Sequence, residues 1–130
     1  MSRILPPKLT LAKALQSGIC AVRDGVLRAA NKQITSITKI SAAGSVQKAF
    51  LSNNYLDSLA GIGNFPNLTV LSVSFNNISK LSEIKHIIKL PLRNINLEGN
   101  PITELPFYQH HIVAAFPSLQ LLDGHEVTDE

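Results

Sequence analysis

Short runs of alternating apolar and polar residues return three times along the chain, in VQKAFLSNNYL (46–56), LTVLSVSFNNI (68–78) and LRNINLEGNPI (92–102). Each run is apolar at its first, fourth, sixth and eleventh places and carries asparagine at its ninth: Asn54, Asn76 and Asn100. Successive side chains on a strand point to opposite sides, so the alternation at places four to six reads as a strand with one buried face. It predicts strands near 48–52, 70–74 and 94–97, with Ala49, Leu51, Leu71, Val73, Ile95 and Leu97 turned inward. Between the runs, apolar residues recur at every third place: Leu56, Leu59, Ile62 and Phe65, then Ile78, Leu81, Ile84 and Ile87. A period of three suits 3₁₀ turns or short helix better than a long α-helix.

The asparagines return after 22 and then 24 residues. That spacing, with the pattern L-x-x-L-x-L-x-x-N-x-L, is the signature of a leucine-rich repeat. The expected fold is an α/β solenoid, a right-handed superhelix with a parallel sheet on its concave side. No coil can bury its apolar places alone, so neighbours must stack. After each strand the chain turns sharply, and a buried turn cannot leave its backbone groups unpaired. An asparagine amide has donors and an acceptor to offer at once, so Asn54, Asn76 and Asn100 are expected to form a ladder that ties coil to coil. Losing one should cost about 1–3 kcal/mol.

The ends depart from the repeat. Residues 1–23 read as a lead-in through Pro6-Pro7 and a capping helix over 8–17, with Leu9, Ala12, Ala14 and Leu15 at roughly helical spacing and Gly18 as its stop. Residues 24–105 hold the repeats, the first of them (24–45) degenerate. Counting back 22 residues turns Leu27, Ala29, Ile34, Ile37 and Ile40 inward and puts Lys32 where asparagine belongs, beside Asn31. Either the ladder begins one coil later or Asn31 substitutes through a local shift. Gly61, Gly63 and Pro66 shape the connection after the next run. Residues 106–130 form a C-terminal cap: Tyr108, Ile112, Val113 and Phe116 share a helical face, and Pro117 ends the helix. Leu119 and Leu122 take the first and fourth places of a last strand, and Asp123-Gly124 reads as a turn with Asp123 pairing to backbone amides.

The ending N-P-x-x-x-x-P-x-Y, a helix, then F-P-x-L-x-x-L-D-G closely resembles the C-terminal cap of one leucine-rich subfamily. It includes the protein phosphatase-1 regulator, the spliceosomal partner of a U2 RNA-binding protein, the outer-arm dynein light chain and several ciliary and centrosomal proteins. The resemblance covers 24–127. It implies a cytoplasmic scaffold or adaptor at a cilium, flagellum, basal body or centrosome. Phosphatase regulation and an adaptor role in RNA processing are the alternatives. Relatives often continue past the cap, so the chain is expected to be the N-terminal domain of a longer protein.

Composition narrows the function classes. No run of 18 apolar residues exists, and MSRILPPKLTLAKAL lacks the apolar core of a signal peptide, so neither a membrane span nor export is expected. The single Cys20 excludes an internal disulfide and reads as a small apolar filler. All 12 basic residues lie at or before Arg93, against three acids (Asp24, Asp57, Glu83), a net charge of +9 there; the remaining six acids follow with no Lys or Arg. Such a charge axis can orient a partner.

The outward places of the strands are the candidate interface. They are Arg28, Lys48, Phe50, Ser52, Ser72, Ser74, Phe75, Arg93, Asn94 and Asn96, with Glu98 and Gln120 at the margin. Phe50 and Phe75 fit no inward place, so each is a candidate anchor for a partner, while Phe75 could instead pack locally beside the asparagine turn. His110-His111 point about 100° apart on a helix and cannot chelate one ion. No acid–base set, nucleophile pair, phosphate loop or ligand set at metal spacing is present, so no catalysis, cofactor or metal is expected. The expected partner is a protein with an acidic surface, without direct nucleic-acid or membrane contact, and the isolated chain is expected to be monomeric.

Overall fold

The computed structural model describes residues 7–128. The first helix, α1 (Leu11–Gln16), starts where the Thr10 hydroxyl accepts a hydrogen bond from the Lys13 amide. Its buried face is Leu11 and Ala14, with Leu9 and Leu15 packed at the margin. The expected face over Ala12 is one step out of register, because the cap fixes Leu11 as the first helical residue. The Leu11 amide donates to the Ser36 carbonyl at 2.9 Å, which seats α1 on the first coil.

Seven short strands follow in simple order: β1 (Ala21–Arg23), β2 (Val26–Arg28), β3 (Lys48–Phe50), β4 (Val70–Ser72), β5 (Asn94–Asn96), β6 (Leu121–Leu122) and β7 (His125–Glu126). Strands β2 to β6 pair in parallel, and Leu27, Ala49, Leu71, Ile95 and Leu122 stand in one register file that faces the core. All six inward residues expected from the alternation are buried, but the strands are shorter than expected and end just before Leu51, Val73 and Leu97.

The sheet is not parallel throughout, as the repeat alone implied. Each end of the sheet is an antiparallel hairpin, β1–β2 and β6–β7. The turns are Asp24-Gly25 (φ +54° and +78°) and Asp123-Gly124 (φ +51° and +81°). Two successive left-handed residues make the tight reversal whose twist matches the strands. The segment before residue 24, expected to hold only a lead-in and a helix, thus also supplies an edge strand.

On the convex side the chain runs in 3₁₀ turns, at Ala43–Ser45, Ile62–Asn64, Leu81–His86 and Pro101–Glu104. Of the period-three residues, only Leu81 is half-buried; the others are buried. Neighbouring coils touch backbone to backbone here. A Cβ on Gly61 (φ +92°) would run into the Ile37 carbonyl, so the close stacking depends on glycine. Helix α2 (Tyr108–Ala115) then lays Tyr108 and Ile112 over the last coil, with Phe116 and Leu119 completing the buried end.

Candidate protein-interaction face

The turn after each strand is built around the ninth-place asparagine. Asn54 accepts from the amides of Lys32 and Ile34, both at 3.0 Å, and donates to the carbonyls of Ala29 and Leu51, both at 2.8 Å. Asn76 accepts from Leu56 at 3.0 Å and donates to Leu51 at 3.0 Å and Val73 at 2.9 Å. Asn100 accepts from Ile78 at 2.9 Å and donates to Val73 at 2.9 Å and Leu97 at 3.0 Å. Each side chain thus reaches back to the sixth and eleventh places of the coil before it. Asn54 and Asn100 are buried and Asn76 half-buried. The ladder begins at Asn54: Asn31 is exposed and Lys32 contributes only its backbone amide.

The residue before the ninth place is left-handed in every coil: Asn31 (φ +60°), Asn53 (+58°), Phe75 (+56°) and Gly99 (+77°). Asparagine and glycine tolerate this backbone, but a bulky aromatic does so only under strain. Phe75 is 54% exposed, and its ring lies against the Gly99 backbone, where an added Cβ would meet it. Local packing and exposure therefore coexist at Phe75.

Strand register sets the concave face in rows. One runs Arg23, Val26, Lys48, Val70, Asn94, Leu121, Glu126; the next runs Ala21, Arg28, Phe50, Ser72, Asn96. Phe50 holds an outward place but does not stand free. It is half-buried, with the Arg28 guanidinium 5.8 Å from its ring centroid. Val26 and Val70 flank it diagonally, and both half-buried valines were missed because their third-place partners, Lys48 and Asn94, are polar. Ser74, expected on the outward face, is covered. It is 7% exposed, and its hydroxyl pairs at 2.8 Å with Ser52, which also meets Ser72 at 3.0 Å. Lys48, Arg28 and Arg93 are exposed, and Ser52, Ser72, Asn94 and Asn96 half-exposed.

Away from this face, Asp123 ties the cap together. One carboxylate oxygen accepts from the Leu97 amide at 2.6 Å, as expected of its turn, and the other from the Tyr108 hydroxyl at 2.8 Å. Burial, then the negative charge of Asp123, pushes the Tyr108 phenol far above its ordinary range. On the convex side, Glu83 accepts from the Ser58 hydroxyl at 2.6 Å and the Leu59 amide at 2.8 Å. Burial alone would raise the Glu83 carboxyl, but these two bonds with His86 and Lys85 nearby hold it below its ordinary value. Burial raises the Cys20 thiol, against the pull of Lys32. Among the described residues no group of three or more His, Cys, Asp or Glu could hold a metal ion, and no buried side-chain polar atom lacks a partner. No helix among them is long and apolar enough to cross a membrane.

The family model described as "Leucine Rich repeats (2 copies)" matches residues 45–86. The chain is a leucine-rich-repeat protein. Among curated relatives it is 36% identical over 80 residues to leucine-rich repeat-containing protein 51 of Bos taurus, covering 60% of this chain and 42% of that one. It is 34% identical over 121 residues to U2 small nuclear ribonucleoprotein A′ of Candida albicans, covering 73% of this chain and 52% of the other. Among solved structures, the Chaetomium Mex67:Mtr2 subunits match with a TM-score of 0.58 and 33% identity, over 65% of this chain and 61% of that one. The leucine-rich-repeat chain therefore spans about half the length, or less, of these curated relatives.

Proposed function

We propose that this leucine-rich-repeat chain is a non-enzymatic docking module that takes a protein partner across its concave sheet. The observation that carries the reading is the patch of Val26, Phe50 and Val70, half-buried and apolar, at the basic end of an otherwise polar face. An apolar side chain set against Phe50 offers about 2 kcal/mol or more when fully desolvated. Arg28 and Lys48 beside it, and Arg93 two strands away, act mainly on association rate and salt dependence, and they suit a partner with an acidic surface. The hydroxyls of Ser52, Ser72 and Ser74 bond one another, not a base, which supports binding over catalysis.

A second reading is that of an adaptor in RNA processing, acting through a protein partner instead of touching RNA. The likeness to a U2 small nuclear ribonucleoprotein, to mRNA export factor mex67 of Schizosaccharomyces pombe and to the Chaetomium Mex67:Mtr2 subunits supports it. A place in the cytoplasm at a cilium, basal body or centrosome, or a phosphatase-regulator role, draws on the cap motif alone. The test is proximity labelling and quantitative pull-down with the parent chain and an Arg28→Glu, Phe50→Ser double variant. At least about a tenfold drop in one reproducible partner is expected, about 1.4 kcal/mol of binding. Equal recovery by parent and variant would sink the concave reading. The identity of the partner, spliceosomal, axonemal or phosphatase, decides between the finer ones.

A further inference from the structure

The sheet has an open edge at its basic end. A two-residue turn makes Arg23 and Val26 the hydrogen-bonded pair of the first hairpin, so Val22, opposite Leu27, aims its own N–H and C=O away from β2. Among the described residues nothing pairs with them. Beside this edge lies a cleft of about 510 Å³ between α1, β1 and residues 39–42 of the first coil. Ala12, Leu15, Val22 and Ile40 supply apolar lining, and Gln16, Ser41 and exposed Lys39 line it as well. Arg23 on the concave side of β1 and Lys13 on α1 are exposed, and Asp24 at the hairpin turn is the only acid along β1 and α1.

We propose that this edge takes up an extended, acidic segment of a partner protein as an additional strand. Backbone pairing to Val22 supplies the register. Alternation then sends the side chain beside Val22 into the cleft over Leu15 and Ile40 and its neighbours to the concave side, towards Arg23. The occupant is therefore apolar at one place and acidic at the places beside it. A second copy of this chain is disfavoured in an edge-to-edge arrangement, because it would bring Arg23, Lys13 and Lys39 against themselves. The site lies outside the apolar patch around Phe50 and stands or falls independently of the concave reading.

The test adds a synthetic peptide alternating isoleucine and glutamate, about eight residues long, to the isotopically labelled chain and follows amide shifts and hydrogen exchange. The expected result is a saturable shift across Ala21–Arg23 and at least about tenfold slower exchange at the Val22 amide. Arg23→Glu should weaken binding about tenfold or more, and Phe50→Ser should leave it unchanged. Val22→Pro, which removes an outward N–H and no ladder bond, should abolish it. If Val22→Pro does not fold, Arg23→Glu, a change at an exposed side chain, still decides. The proposal is overturned if the Val22 amide is already protected in the free chain, or if a peptide with lysine for glutamate binds equally well. It is also overturned if the free chain self-associates through this edge.

Discussion

The Tyr108 hydroxyl donates a 2.8 Å hydrogen bond to Asp123, and this one contact fastens the last helix to the turn that closes the sheet. The raised phenol has a consequence in alkali. A group whose folded pKa lies above its unfolded value contributes stability that is fully present below the unfolded value and lost as pH rises past it. The Tyr108 contribution should therefore hold up to about pH 10 and fall away beyond it. Tyr108→Phe should cost about 1 kcal/mol at neutral pH and flatten the alkaline loss, read from urea unfolding at pH 7 and pH 11. Parallel alkaline profiles for the two proteins would show that the phenol is not the titrating group.

The ladder asparagines should not be equal. Asn54 is buried and accepts from two amides; Asn76 is half-buried and accepts from one. Alanine at Asn54 strands both amides and the two carbonyls, so about 2–3 kcal/mol is expected, against about 1 kcal/mol at Asn76. Chemical denaturation of the two variants ranks them, and the reverse order would mean that the bonds are not what the coils depend on.

Phe75 should be stabilised by what its neighbours carry. Phe75→Asn places a residue that accepts φ near +56° where Asn31 and Asn53 already sit at the same place. Relief of about 1 kcal/mol is expected, reduced by the lost contact with Gly99. A rise in Tm measures it. A fall would mean that the ring's packing outweighs the backbone strain.

Glu83 should make the convex side sensitive to acid. Its folded pKa lies below the unfolded value, so its contribution is present above about pH 4.3 and lost as pH drops through the folded value. Glu83→Gln keeps an acceptor for Ser58 and Leu59 but does not titrate. Between pH 5 and pH 3 (about one unit either side of the ordinary carboxylate value) the parent should lose more stability than the variant. Equal losses would acquit Glu83.

The repeat was legible because its periods are physical. An inward place every second residue and an asparagine every 22 to 24 leave little freedom in register, and Ala49, Leu71 and Ile95 fell where the alternation put them. The N-terminal hairpin was missed because counting back from Val46 absorbed Asp24-Gly25 into the start of a coil. The Asp-Gly pair was itself the signal, and the same pair at 123–124 was read correctly as a turn. At the concave face the difficulty was different. Ser74 occupies an outward place by alternation, yet the hydroxyl cluster with Ser52 covers it. Phe50 was visible as an aromatic out of place, but the guanidinium laid over it came from a residue 22 positions earlier.

The ladder asparagines reach back 20 to 27 residues and no further. Every coil is thus secured to the one made just before it, and a nascent chain can lock each turn as soon as the next has been synthesised. Assembly can start at the regular coils around Asn76 and spread both ways, so a defect in one coil should slow the arrival of its neighbours more than that of the far end.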